Sequence, residues 1–155
     1  MIGIVLVTHD GLADALAKSL FHVLGPDHPC FECIGVERDE PIEFVQERVV
    51  NAVQRVDQDA GVLILTDLFG GTPSNVAMSL VRPERVDMLS GVSLPMLVRI
   101  MSARETSLAA TIERAIQGGR DGILLASEMI DYWRNCGDKR VDAQQADTDN
   151  VAPRP

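Results

Sequence analysis

The feature that most restricts this chain's fold is an alternation. Short, branched, apolar runs are each followed by a longer segment whose apolar residues recur at helical spacing. Residues 2–8, Ile-Gly-Ile-Val-Leu-Val-Thr, form a continuous run of the kind expected of a strand buried on both faces. Residues 11–24 follow, with Leu12, Leu16, Leu20, Val23 and Leu24 on a helical stripe and Gly25-Pro26 as a stop. Residues 30–36 read as a weaker second strand. Residues 41–56 read as an amphipathic helix with Pro41 at its start and Ile42, Val45, Val49, Val53 and Val56 on one face. Residues 61–66 repeat the first pattern. A helix opens at Thr72-Pro73, where Thr is a favoured cap and Pro a favoured first helical residue. Residues 85–90 read as a fourth strand, Ser93-Leu94-Pro95 starts another helix, and residues 107–117 form a last one, which Gly118-Gly119 is expected to stop. Residues 122–126 read as a short fifth strand. Alternation of this kind predicts an α/β, doubly wound sheet.

The chain has 155 residues, enough for one domain with a full core. Aromatic residues make up only 4%, so the core is built from Val, Ile, Leu, Ala and Met. Beyond Arg134 the chain turns polar, and residues 134–155 read as a mobile tail to a domain spanning 1–133. Four cations and four carboxylates cancel in that tail, so the net charge of −9 falls on residues 1–133. Such a body repels nucleic acid and anionic membranes and suits a partner with a basic surface. No apolar stretch of membrane-spanning length occurs. The N-terminus reads as a strand rather than a signal peptide, which places the chain in the cytoplasm.

In open α/β sheets the ligand crevice lies beyond the carboxyl ends of the strands. Thr8-His9-Asp10-Gly11 follows the first strand. Thr66-Asp67-Leu68-Phe69-Gly70-Gly71-Thr72-Pro73-Ser74-Asn75 follows the third, and Ser90-Gly91-Val92-Ser93-Leu94-Pro95 the fourth. His9 offers an imidazole suited to nucleophilic or acid–base work. Asp67 is placed to accept a hydrogen bond from one ring nitrogen, which fixes the tautomer and frees the other. Gly70 and Gly71 allow close backbone approach. Their amides, with those of the helix opening at Thr72, predict an anion site.

These three stretches resemble the signature segments of the mannose-family IIA components of the phosphoenolpyruvate-dependent sugar phosphotransferase system, in order over residues 1–126. The resemblance implies a phosphotransferase component acting through a phosphohistidine at His9. HPr supplies the phosphoryl group and a IIB component receives it. Asp67 matches the carboxylate that hydrogen-bonds the histidine, and Gly71 and Thr72 match positions beside the phosphoryl group. The implied sheet has four mainly parallel strands, with the short fifth strand antiparallel and exchanged in a homodimer. Ser93 departs from the Asn of many relatives. The 29 residues after Ala126 are too few for a IIB domain, so IIB is expected on a separate chain. No metal or cofactor is implied.

Other readings use the same residues differently. The chain is also expected to fit a regulatory phosphocarrier, or the phosphoryl-donor subunit of dihydroxyacetone kinase. A receiver-like domain phosphorylated on Asp10 or Asp67 lacks a Lys after the fifth strand before Lys139. A non-covalent anion-binding module is a further option. Cys30 and Cys33 have Cys-x-x-Cys spacing but point to opposite faces of a strand and lack two further zinc ligands. Cys136 reads as a free thiol, His22 and His28 as structural or solvated, and Tyr132-Trp133 as packing residues. Neither a Walker-type phosphate loop nor a dinucleotide fingerprint occurs.

Overall fold

The strand β1 (Gly3–His9) is where the sheet is assembled: all of it but His9 is buried. The computed structural model describes residues 1–130. β1 pairs in parallel on one side with β2 (Phe31–Val36), from Ile4↔Phe31 to His9↔Val36. On its other side it pairs in parallel with β3 (Val62–Thr66), from Gly3↔Val62 to Val7↔Thr66. β4 (Val86–Ser90) continues the sheet beyond β3, which gives the order β2-β1-β3-β4. The first crossover leaves β1 in one direction and the second returns past it in the other. The strand order therefore reverses between β1 and β3, and a crevice opens there at the carboxyl edge.

Right-handed crossovers in opposite directions put their helices on opposite faces. Val5, Val7, Ile64 and Val86 pack against Val45, Val49, Ala52 and Val56 of α2 (Ile42–Val56), and against Val76 and Ala77 of α3 (Thr72–Ser79). On the other face Ile4, Leu6, Leu63 and Leu65 meet three helices: α1 (Leu12–Leu24), α4 (Leu94–Ala103) and α5 (Leu108–Asp121). Each wholly buried Val, Leu or Ile contributes about 1.5–3 kcal/mol relative to exposure.

Four local expectations are corrected. The face of α1 that packs inward is Ala13, Ala17 and Leu20, while Leu12, Val23 and Leu24 are exposed. Leu20 of the predicted stripe is buried and Leu16 packs against the same core, so the small residues Ala13 and Ala17 share the inward face with them while the two ends of the stripe are exposed. Ile42, at the first position of α2, likewise points to solvent. Gly71, not Thr72, caps α3, and Thr72 and Pro73 are its first two residues. Gly118-Gly119 does not stop α5, which runs on to Asp121. A Cβ at Gly118 would lie 2.7 Å from Arg99 Cβ, and one at Gly119 would lie 2.9 Å from Met96 Cε. These glycines permit close approach of α4 and α5 rather than ending a helix.

The chain divides into one unit over Met1–Gly122 and a second beginning at Ile123. In the second unit residues 123–125 form no strand and residues 126–130 are helical. The expected fifth strand is thus not formed within this single chain. A short apolar segment has no ladder of its own, because a strand needs a neighbouring strand for its N–H and C=O groups. Tyr132, Trp133, Cys136 and the tail expected from residue 134 lie outside the described residues.

The turn after β1 depends on β2. Asp10 adopts a left-handed φ of 43° and its amide donates to Val36 O at 2.9 Å. Its carbonyl oxygen would lie only 2.1 Å from a Cβ on Gly35. Gly35→Ala must therefore displace the Asp10 turn. We expect a loss of about 1–3 kcal/mol in urea unfolding, as for other overpacked positions. The ring resonances of His9 should shift with it in NMR spectra.

Candidate functional site

His9 ends β1 and Asp67 is the first residue beyond β3, so the two meet at the reversal of strand order. The His9 backbone amide donates to Asp67 Oδ2 at 3.1 Å, and His9 Nδ1 lies 3.0 Å from the same oxygen. Leu68 N–H donates to Asp67 Oδ1 at 2.9 Å. A carboxylate can only accept, so Nδ1 carries a proton, and in the neutral ring Nε2 is then the nitrogen with the free lone pair. Burial alone would raise the Asp67 pKa. The hydrogen bonds from the His9 ring, the His9 amide and the Leu68 amide outweigh it and hold the carboxyl below its ordinary value. Asp67 is therefore ionised at neutral pH. The Asp67 side chain is 15% exposed and that of His9 is 48% exposed. The carboxylate is sheltered while the imidazole it orients stands open to a partner.

The free edge of the ring faces α3. A Cβ on Gly71 would come 2.8 Å from His9 Cε1 and 3.0 Å from His9 Nε2, distances that only glycine avoids. Gly70 turns the chain with a φ of 92°, and its amide donates to Ser74 Oγ at 2.8 Å. Ser74 Oγ donates in turn to Gly71 O at 3.0 Å. The first helical bond runs from Asn75 N to Gly71 O at 3.0 Å. Pro73 has no N–H. The amides of Gly71, Thr72 and Ser74 donate to no group among the described residues. They stand at the positive end of the α3 dipole, beside Nε2. The structure thus brings together His9, Asp67, Gly71 and Thr72. It places Gly70 at the same loop with its amide already engaged.

Two supporting residues were not singled out from sequence. Ser74, 1% exposed, ties both glycines to the first turn of α3. Its signal was a hydroxyl three residues into a helix whose cap has no side chain. Gly35 holds the Asp10 turn, and only the structure shows the close approach that requires it. Ser93 caps α4, its hydroxyl accepting from Met96 N at 3.4 Å, and the amides of Gly91 and Val92 both donate to Thr66 O. The fourth-strand loop is thereby bound to the end of β3.

The remaining candidates stay outside the site. Cys30 and Cys33 pack against opposite hydrophobic clusters, and burial pushes the Cys33 thiol up to about 12. His28 stacks on Phe21 with ring centroids 5.1 Å apart. No group of three His, Cys, Asp or Glu side chains among the described residues is placed to hold a metal. No helix among them is long and apolar enough to cross a membrane.

Residues 3–117, which run from the start of β1 into α5, match the EIIA-man family model, described as PTS system fructose IIA component. The fructose-specific EIIA component of Bacillus subtilis (strain 168) is 33% identical over 106 residues, covering 68% of this chain and 72% of that protein. The mannose-specific EIIAB component of Escherichia coli (strain K12) is 32% identical over 125 residues. That match covers 79% of this chain but 38% of the longer relative. The crystal structure of phosphotransferase system component EIIA from Streptococcus agalactiae superposes with a TM-score of 0.74 at 26% identity, covering 83% of this chain and 99% of that one. With the family model spanning the whole sheet and the relatives agreeing, the chain belongs to the EIIA-man family and is a mannose-family IIA component of the sugar phosphotransferase system.

Proposed function

We propose that His9 accepts a phosphoryl group from phospho-HPr and passes it to a IIB component, in the cytoplasm. The observation that carries this reading is the bond between His9 Nδ1 and Asp67 Oδ2, because it leaves Nε2 as the nucleophile beside unengaged amides. In the forward step the Nε2 lone pair forms the new N–P bond as the bond from phosphorus to the donor imidazole breaks. The electron pair of the broken bond stays on the donor nitrogen. The ring of His9, still protonated on Nδ1, becomes an imidazolium bearing the anionic phosphoryl group, and Asp67 offsets the ring's positive charge. The amides of Gly71, Thr72 and Ser74, with the Thr72 hydroxyl, hold the equatorial oxygens. The onward step reverses these roles, with His9 as the leaving group. Phosphoryl transfer of this kind rests on positioning and charge stabilisation.

The same reading includes a homodimer in which residues 121–126 of one copy add an antiparallel strand to the sheet of the other. Support for it is the apolar Ile123-Leu124-Leu125 run, which forms no ladder among the described residues. Sedimentation equilibrium tests it: a monomer at micromolar concentration would reject the exchange.

Incubation with phosphoenolpyruvate, Enzyme I and HPr is expected to add one acid-labile phosphoryl group, located on His9 by mass spectrometry. His9→Ala should abolish the uptake, and labelling retained in that variant would remove His9 as the acceptor.

Gly71→Ala forces a methyl group against the reacting edge of His9. The neighbour it meets is the tip of a side chain rather than backbone. Stability should therefore change by less than about 1 kcal/mol, while the transfer rate falls about 10²-fold, the cost of an ångström-scale displacement. Stopped-flow phosphorylation and urea unfolding read the two effects separately.

Asp67 also predicts a pH dependence. Its folded pKa lies below the unfolded value, so its contribution to stability is present above about pH 3.9. That contribution is lost as pH falls through the folded value. The stability difference between wild type and Asp67→Asn should be constant from neutral pH to about pH 5 and shrink below about pH 4. A difference that grows on acidification would contradict the assignment.

A further inference from the structure

β2 stands at one end of the order β2-β1-β3-β4, so the carbonyls on its outer side meet no neighbouring strand among the described residues. Val36 O faces inward and takes the Asp10 amide at 2.9 Å. Gly35 O, one residue earlier, faces the free edge. Arg48 of α2 reaches it: Nη2 donates to Gly35 O at 3.1 Å, while Nη1 donates to Glu40 Oε1 at 2.6 Å. Glu40 closes the loop that joins β2 to α2. Its Oε2 accepts from the Glu37 amide at 3.3 Å, and its own amide donates to Glu37 O at 3.3 Å. The Glu40 side chain is 17% exposed, and the guanidinium beside it holds its carboxyl below the ordinary value. One planar fork thus joins the helix, the loop and the carboxyl end of the edge strand. The inner side of the same stretch carries the site. His9 is in register with Val36, and the Asp10 carbonyl crosses Gly35 so closely that a Cβ there would lie 2.1 Å from it.

Resting on the function proposed above, we propose that Arg48 and Glu40 are positioning residues for phosphoryl transfer at His9, acting through Gly35 and the Asp10 turn. Asp67 fixes the imidazole from the β3 side. The β2 side of the same turn is fixed by Gly35-Val36, and Arg48 holds the outer edge of that pair. Without the fork, Gly35 O loses the donor that holds it, and the turn wedged against that glycine is free to move with it. An exposed ion pair contributes little to overall stability. The consequence of losing this one is therefore geometric. In-line transfer depends steeply on where the attacking nitrogen stands. Neither Arg48 nor Glu40 touches the ring, which separates them from Asp67 and Gly71.

The test follows two phosphoryl donors on the same variants: phospho-HPr, and phosphoramidate, whose P–N bond breaks to release ammonia as the bond from phosphorus to His9 Nε2 forms. Arg48→Ala is expected to lower kcat for phospho-HPr about tenfold, less than the cost of a full ångström of displacement. Its KM should stay within about twofold of wild type. Phosphoramidate labelling should slow by a similar factor, because the fault lies at His9 and not at a docking face. Arg48→Lys keeps the charge but not the fork, so it should recover only part of the rate. Glu40→Ala should match Arg48→Ala, and the double variant should be no slower than either, because the two act as one unit. The ring nitrogen signals of His9 should shift in NMR spectra of these Ala variants, while the midpoint of urea unfolding moves little. Unchanged kcat and unchanged ring signals in Arg48→Ala overturn the positioning role. So does a rise in KM alone, or full recovery in Arg48→Lys, since Arg48 would then act by surface charge. Labelling of wild-type His9 by neither donor would reject the proposed function itself, and the ring signals would still decide whether Arg48 positions His9.

Discussion

One carboxylate joins the two strands that matter. Asp67 Oδ2 meets the backbone amide and the ring nitrogen of His9, and Oδ1 takes the amide of Leu68. The His9 amide bond fixes the end of β1 relative to the end of β3, and the ring bond fixes the imidazole on that frame. Hydrogen bonds to an ionised acceptor are roughly twice as strong as neutral ones, so a single sheltered oxygen can orient an exposed ring. The same bonds keep the carboxyl ionised against the cost of its own burial. The position and tautomer of His9 and the negative charge beside it therefore have a common source.

The α3 terminus shows the complementary use of an omission. A Ser, Thr or Asp at the cap would fold its side chain over the first-turn amides and occupy them. Gly71 leaves those amides open, at a cost of only a few tenths of a kcal/mol relative to a good cap. Pro73 keeps the helix start rigid without adding a donor. Ser74 supplies from inside the helix the anchoring that a cap would have supplied from outside, by binding Gly70 N and Gly71 O. The absent Cβ at Gly71 also admits the His9 ring to the amides. Open donors and close approach thus follow from one glycine.

Much of this was legible in the residues because it is written in local chemistry. Strands buried on both faces must be continuous apolar runs, so β1 and β3 stood out, and a ligand crevice must lie past their carboxyl ends. That placed His9 and Asp67 together without any coordinates. What was not legible depends on distance between segments far apart in sequence. The glycine pair in α5 reads locally as a helix stop, yet its purpose is contact with Met96 and Arg99 of α4. The stripe Leu12, Leu16, Leu20, Val23 and Leu24 reads as a buried face; Leu20 and Leu16 do pack inward, but Ala13 and Ala17 join them while Leu12, Val23 and Leu24 are exposed, and the sequence pattern alone cannot weigh close approach against bulk. Residues 122–126 look like a strand because they are apolar and branched, but strand character is a property of a pair, and among the described residues no partner strand is formed with them.

In the role proposed for it, His9 serves two proteins in turn and faces opposing demands. It must stand at the surface, since a partner's own side chain has to reach it, and it must be held as firmly as a residue in an enclosed pocket. Enclosure is the usual source of rigidity, and the proposed role excludes it here. The structure meets both demands by fixing His9 from behind. Its neighbour Thr8 is fully buried, its amide and ring share one sheltered acceptor, and its turn is wedged against Gly35. The outer half of the ring is left clear. Rigidity drawn from the sheet edge rather than from walls is what allows an imidazole nearly half exposed to keep one tautomer and one direction.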